Sequence, residues 1–370
     1  MILQPTSSRV ALVHDWLTGM RGGEKVLEVL CELFPNATLF TLLHNRGAMS
    51  PTVERMKIQT SFIDRLPFKA QHYRNYLPLM PIAIESMDLS GFDLILSTSH
   101  AVAKGAIPRN GATHICYCFT PMRYVWDQYD EYFGKGKAGL ATRLAMKLVA
   151  PYLRTWDVNS CSRVHHFIAD SHHVAERIRR YYARSADVLH APVNVQQFRV
   201  SNANDGYYLI VSALVPYKKV DLAIQTFNQL GEKLVIVGTG PEEAKLRSLS
   251  NQNIEFAGWA SDGQLPTYYA QCRALIFPGE EDFGIVPLEA MASGKPVIAF
   301  AKGGALETVV DGETGIFFSE QTPEALLAAI RKSQSVSFSP EVIRMHAEKF
   351  DRKAFKEKLK KSIEGKLLPR

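Results

Sequence analysis

Apolar runs and amphipathic stretches alternate along this chain from end to end. Runs at Val10–His14, Phe92–Ser97, Ile115–Phe119 and Phe167–Asp170 predict strands in the first half. Tyr208–Ala213, Leu234–Gly238, Ile254–Phe256, Ala274–Phe277 and Val297–Phe300 predict them in the second. Several of these lack two-residue alternation, as strands covered on both faces do. Between them, Glu24–Leu33, Val174–Tyr182, Asp221–Leu230 and Pro323–Arg331 repeat apolar residues at helical spacing. Strands and helices in this order build parallel sheets with helices on both faces. Ligands of such sheets lie beyond the carboxyl ends of the strands, so the loops that follow the strands are the places to search.

At 370 residues the chain exceeds what one hydrophobic core usually serves, which predicts two domains. Asp187–Gly206, with Pro192 and a polar run after it, reads as the linker between them. The expected division is residues 1–190, residues 191–345, and residues 346–370, a helix packing back on the first. The last helical stretch is expected over Val342–Leu367, long and polar enough to pack back across the first domain.

Composition changes this picture little, since 46% hydrophobic and 22% charged residues are ordinary globular values and exclude wholesale disorder. The net charge of +6 is local: Arg344–Arg370 holds ten Lys/Arg against four Asp/Glu, a surplus of six. That tail suits a solvated helix or an anionic surface. Cys31, Cys116, Cys118, Cys161 and Cys272 lack metal-site spacing and read as reduced, buried thiols. The opening MILQPTSSRV lacks the form of a signal peptide, and no apolar stretch is long enough to span a bilayer. A cytoplasmic protein, peripheral at most to the inner membrane face, is the expectation.

Three loops carry candidate chemistry. The first, His14–Glu24, follows the first strand and holds Gly22 and Gly23 where a helix begins. Paired glycines there admit a phosphate to backbone N–H groups and the helix dipole, although a tight turn needs glycine in any case. The spacing is not that of a dinucleotide fingerprint. The second, Val211–Lys219, sets Lys218 and Lys219 at a helix start, where cations oppose the helix dipole unless an anion such as a diphosphate is bound. The third, Phe277–Val297, carries Glu281 in a glycine-bearing loop and Glu289 in the helix after it. A helical Glu beside Leu288, Ala290 and Met291 is costly to bury unpaired, and ribose hydroxyls suit it. Ala301–Glu307 supplies a further glycine turn onto a helix.

The run Phe277–Gly315 resembles the C-terminal half of family-4 retaining glycosyltransferases of GT-B fold, and Glu281-x7-Glu289 matches their signature. The likeness extends to Arg21-Gly22-Gly23-Glu24, to Leu214–Asp221 and to Val237-Gly238-Thr239-Gly240-Pro241. Cys116–Asp127 is similar to a bacterial mannosyltransferase-like branch that builds surface polysaccharides. The resemblance implies an α/β protein of two Rossmann-like domains whose parallel sheets face across a deep cleft. It implies a nucleotide-sugar donor, GDP-mannose favoured, no metal and no other cofactor, and a lipid-linked saccharide acceptor. By position, Glu289 would hold the ribose, Glu281 the transferred sugar, Lys218 with Lys219 the diphosphate, and Gly22 and Gly23 would admit the phosphates. Gly240, Phe283, Gly284 and Ile285 would complete the donor site. An anionic membrane surface is an implied partner; nucleic acid is not.

Two positions depart from the pattern. Phe119 stands where relatives usually place a His that contacts the sugar, and Phe neither donates a hydrogen bond nor carries charge. Ala213 stands where an Arg is common. His100, in Ser97–Gly105, is a partial substitute or a turn cap. His165-His166 and His172-His173 point adjacent side chains apart and make a poor shared metal site. Phe62–Pro81 mixes aromatic and basic residues and suits either ordinary packing or contact with lipid headgroups. The readings that remain beside a hexosyltransferase are a UDP-sugar enzyme of the same fold, transferase or epimerase, and a sugar-nucleotide-binding subunit of impaired activity.

Overall fold

The structure is a computed structural model, and it describes residues 9–134, 139–201 and 205–367. The readings made on residues 1–8, on residues 202–204 of the linker and on the last three residues of the basic tail lie outside these. The chain divides into two compact units, one of Met1–His190 with Lys356–Arg370, the other of Ala191–Phe355.

In unit 1 the strands are β1 (Val10–His14), β2 (Thr38–Thr41), β3 (Lys57–Thr60), β4 (Leu94–Ser99), β5 (Thr113–Cys118), β6 (His166–Ala169) and β7 (Ala186–Val188). Their order across the sheet is β3-β2-β1-β4-β5-β6-β7, with parallel pairing throughout. Every residue of β1, β2 and β4 is buried, which is why these segments read as apolar runs and not as alternating ones. The order reverses between β1 and β4, in register Val13 to Ser97 and His14 to Thr98. A crevice for ligands forms outside the strand ends at such a reversal. Cys116 and Cys118 fall two apart on β5, so both enter the same buried cluster with Cys161, Phe167 and Ile178. All five cysteines are free and buried, and burial pushes the Cys31 and Cys161 thiols up to about 12.

In unit 2 the strands are β8 (Tyr207–Val211), β9 (Lys233–Val237), β10 (Ile254–Gly258), β11 (Leu275–Phe277), β12 (Val297–Phe300) and β13 (Gly315–Phe318). Their order is β10-β9-β8-β11-β12-β13, again all parallel, with the reversal between β8 and β11. Ile210, Ile236, Ile276, Ile298 and Ile316 are each at most 1% exposed beneath the helices Val220–Leu230 and Pro323–Ser335.

The expected single helix Val342–Leu367 is two, Pro340–Glu348 and Arg352–Leu367. Between them the backbone turns aside to bond Val193: Val193 donates to the Phe350 carbonyl and Arg352 to the Val193 carbonyl, each at 3.0 Å. Asp351 then accepts from the Lys353 N–H at 2.8 Å and restarts the helix as a cap. Amphipathic spacing on both sides hid this break, because a three-residue interruption barely shifts a helical pattern.

Candidate active site

At the reversal in unit 1, β1 ends in His14 and the chain turns through Asp15 into the loop before the helix Gly22–Leu33. Asp15 is fully buried. Its Oδ2 accepts the backbone N–H of His100 (2.7 Å) and Ala101 (3.0 Å), and its Oδ1 those of Val102 and Ala103 (both 2.7 Å). One carboxylate thus satisfies four amides of the turn that leaves β4, a set of charge-assisted bonds that fixes this loop to β1. His100 Nδ1 lies 3.1 Å from the same Oδ2. Burial lowers the His100 pKa from its ordinary value, and although the Asp15 charge works against it, the net direction is down.

Behind this loop, His14 Nδ1 shares a 2.7 Å hydrogen bond with Thr98 Oγ1, and its Nε2 lies 3.5 Å from Glu24 Oε1. Glu24, in the first turn of its helix, also accepts the Arg21 N–H at 3.1 Å. Burial raises the Glu24 carboxyl, but the bond and charge of His14 outweigh it and leave the pKa below its usual value.

The Phe119 ring closes the group. Its centroid is 6.4 Å from that of His100, and a Cβ added at Gly23 would stand 3.1 Å from Phe119 Cε2. Gly23 therefore has a local reason to lack a side chain: the aromatic ring occupies the space. Gly22 opens the helix, half-buried. Trp16 lies edge-on to His100 with centroids 4.6 Å apart. Of the unit 1 residues expected at a site, His100, Phe119 and Gly23 come together. Asp15, their organiser, was seen in the sequence only as part of a loop.

Unit 2 builds its group from four loops. Beyond β8, Pro216–Lys218 forms a single helical turn, and Lys219, at φ 53°, reverses the backbone into the helix Val220–Leu230. A lysine in this left-handed conformation is uncommon and holds Lys218 at the strand end. Beyond β9, Gly238 has φ 137°, and a Cβ there would meet the Ser212 carbonyl oxygen at 1.8 Å. Gly240 is equally tight, with its absent Cβ 2.3 Å from the Leu214 oxygen. These two glycines let the β9 loop lie backbone to backbone on the β8 loop.

Beyond β11, Pro278–Gly284 crosses over Lys218 closely enough that a Cβ at Gly279 would lie 3.0 Å from the Lys218 Cα. The Glu281 carboxylate and the Lys218 ammonium form a short ion pair, its side chains 11% and 20% exposed, so both remain within reach of solvent. The Glu281 carbonyl accepts the Gly304 N–H at 2.8 Å and so joins the loop after β12 to the loop after β11. Lys302 pairs with Glu280 at 3.0 Å beside it. Gly284, at φ 91°, then turns the chain into the helix Ile285–Ala292.

Glu289 lies in the second turn of that helix, buried, and accepts a 2.8 Å hydrogen bond from the Tyr269 hydroxyl. Burial is the first cause, and Glu289 the second, that raises the Tyr269 pKa, so the phenol stays protonated and remains the donor. The carboxylate thus has a protein partner that the sequence did not reveal; Tyr269 sits on the short helix Leu265–Gln271 without any distinguishing spacing. Phe283 packs its ring toward Phe350, centroids 6.1 Å apart. Lys218 and Glu281 are therefore in direct contact, Gly240, Gly284 and Ile285 shape the loops around them, and Glu289 stands with Tyr269. The pairs His165-His166 and His172-His173 are divided among different elements, with His165 Nδ1 accepting the His114 N–H at 3.0 Å and His172 opening a helix.

Comparison with known proteins decides the family of this second group. Residues 194–364 match the model of glycosyl transferases group 1. This segment, which takes in nearly all of unit 2, is a glycosyl transferases group 1 domain. Sequence relatives align with part of the chain. An uncharacterized glycosyltransferase of Methanocaldococcus jannaschii is 34% identical over 131 residues, 33% of this chain and 37% of that protein. The GDP-mannose-dependent alpha-(1-6)-phosphatidylinositol monomannoside mannosyltransferase of Mycolicibacterium smegmatis is 32% identical over 138 residues, 32% of this chain and 36% of the relative. The chain thus spans little more than a third of either relative's length. Among solved structures, HepE of Anabaena in complex with UDP superposes with a TM-score of 0.68 at 16% identity, covering 96% of this chain and all of that one. A likeness of that extent covers both units and makes the fold GT-B.

Proposed function

We propose that the protein is a retaining glycosyltransferase that moves a hexose, with mannose favoured, from a nucleoside-diphosphate sugar to a lipid-linked saccharide. The observation that carries this reading is the Lys218–Glu281 pair, placed at the strand-order reversal of a group 1 domain. GDP-mannose is favoured because the mycobacterial relative is named for that donor and the motifs resemble a mannosyltransferase branch. In this reading Lys218 exchanges part of its bond to Glu281 for the donor diphosphate. Cleavage of the bond between the anomeric carbon and the diphosphate oxygen leaves negative charge where the ammonium stands. The acceptor hydroxyl adds to the same face of that carbon, and its proton passes to the leaving phosphate oxygen. Glu281 is freed to accept from the sugar hydroxyls, and Glu289, held in place by Tyr269, to accept from the ribose. With a lysine and helix N-termini facing the diphosphate, no divalent metal is needed.

The reaction is tested by incubating the full chain with labelled GDP-mannose, UDP-glucose and UDP-galactose in turn, with a bacterial lipid extract, before and after dialysis against EDTA. Label should reach the lipid fraction from GDP-mannose in either condition. Transfer from a UDP-sugar alone would move the protein to a different donor class. Loss of activity in EDTA with rescue by magnesium or manganese would refute the metal-free mechanism. A second reading, a sugar-nucleotide-binding subunit, is favoured by Phe119, whose ring occupies the site beside His100 without a polar atom. It predicts nucleotide binding with no transfer from any donor.

A further inference from the structure

The helix Leu140–Asn159 buries Met146, Ala150, Leu153 and Asp157 and turns a second apolar stripe outward. Leu140, Leu144, Leu148 and Tyr152 follow one another at four-residue spacing and are 68%, 53%, 82% and 43% exposed. Residues so spaced lie on one helix face. A single exposed leucine is ordinary on a protein surface, but an unbroken row of them is not. On the helix Met80–Glu85, Glu85 accepts the Trp156 indole N–H at 2.6 Å, and one turn before it Ile82 is 54% exposed.

Charge selects the occupant. Arg143 and Lys147 rise from the same helix between the leucines, and neither has an ion-pair partner among the described residues. The only acidic residue of the helix, Asp157, is fully buried and bonded to Trp126, Tyr182 and Lys104. Among this helix's own residues the outward face is therefore leucine and cation without a carboxylate, and Glu85, beside Tyr152, is itself paired with Arg163 at 2.6 Å. That combination inserts apolar side chains at the acyl boundary and sets ammonium and guanidinium groups among anionic headgroups. A second copy of the same face would oppose like charges. No helix of the described residues is long and apolar enough to cross a membrane, so such a contact is a surface one.

From this juxtaposition we infer that the helix Leu140–Asn159 is a docking surface for an anionic lipid bilayer, with Leu140, Leu144, Leu148 and Tyr152 entering the interface and Arg143 and Lys147 contacting headgroups. The inference rests on surface chemistry alone and holds whatever sugar the protein transfers. It differs from the surface expected from the sequence, which lay in Phe62–Pro81 and the basic tail.

The test is co-sedimentation of the full chain with vesicles of phosphatidylcholine, and of phosphatidylcholine mixed with phosphatidylglycerol. The chain should partition onto the mixed vesicles and detach as salt is raised. L144E/L148E, at exposed positions that leave the core untouched, should lower the partition coefficient at least about tenfold. R143E/K147E should remove the preference for the anionic vesicles. Equal binding to both vesicle types, or partition unchanged in L144E/L148E, overturns the inference. So does a wild-type dimer in analytical ultracentrifugation that L144E/L148E converts to monomer, which would give the face to a second copy.

Discussion

Unit 1 and unit 2 each set a carboxylate at the carboxyl ends of the strands flanking their reversal of strand order, and they use it in opposite ways. Asp15 follows β1 and is spent entirely on protein: four amides from beyond β4 consume both oxygens, and no part of it is exposed. Glu281 follows β11 and faces a lysine from beyond β8, with both partners partly exposed. The first arrangement locks a loop, because a buried carboxylate surrounded by four donors has no better place to go. The second leaves a cation and an anion where either can change partners. Position in the topology alone, then, does not separate structural from chemical carboxylates; accessibility and the nature of the partner do.

The largest effect should come from Asp15→Ala. It leaves four buried N–H groups without an acceptor, and breaking such a network costs on the order of 3–5 kcal/mol. Denaturant unfolding should show it directly, and a loss below about 1 kcal/mol would break the comparison. Lys218→Ala should behave in the reverse sense. The pair is partly open to water, so stability should change by less than about 1 kcal/mol. Transfer should fall by about 10²–10³, the usual loss when one group opposing leaving-group charge is removed. Equal damage to stability and rate would mean that Lys218 is merely structural.

A third test uses pH and concerns unit 1 alone. His114 is fully buried, sharing a 2.8 Å hydrogen bond with Ser97 Oγ, and burial pushes its pKa down to about 3. Unfolded, the imidazole returns to about 6.5 and takes up a proton that the folded protein refuses. Between those values the unfolded state binds more protons, so stability falls as the pH is lowered through that window. This histidine contributes at most about 1.4 kcal/mol per pH unit. His114→Gln should flatten the acid limb of the profile, and an unchanged slope would remove His114 as its cause.

The smallest structural change is Phe119→His, which restores a polar ring 6.4 Å from His100. If that ring reaches the donor sugar, transfer should rise by up to about 10²–10³ while nucleotide affinity, read by calorimetry, stays within about twofold. A slower enzyme would identify Phe119 as an adapted residue, and no change in either quantity would place it away from the sugar. Gly23→Ala sharpens the result, since the added methyl meets the Phe119 ring and should disturb only the Phe119 form.

The alternation of apolar runs and helical patterns was enough to expect two parallel-sheet units, and most buried strands were visible in it. Four strands were not. Lys57–Thr60 and Ala186–Val188 lie on sheet edges, short and partly exposed, and lack an apolar run. Thr38–Thr41 is buried but runs on into Leu42 and Leu43, a stretch whose period does not separate strand from helix. Gly315–Phe318 begins at the last residue of the run read for its resemblance and was not read as an element. In the site, Lys218 could be singled out by the pair of lysines at a helix start, and Glu281 by its glycine-bearing loop and its spacing from Glu289. Asp15 could not, because its partners stand about 85 residues away and are brought near only by the pairing of β1 with β4. Tyr269 is the same case in unit 2, joined to Glu289 by folding across 20 residues.

Unit 1 is interrupted in sequence by the whole of unit 2 and resumes at Lys356. Within it, Lys356 reaches Glu32 at 3.1 Å and Lys366 pairs with Asp187, so its last piece is fastened to its first helix and to its edge strand. On a ribosome, therefore, the interrupted unit waits while the continuous one is made, and its closing segment arrives only after about 165 intervening residues have had time to fold. Contacts between such distant positions form slowly. A chain stopped at Phe355 should release a finished unit 2 joined to an unsealed partner, the species on which proteases and chaperones act.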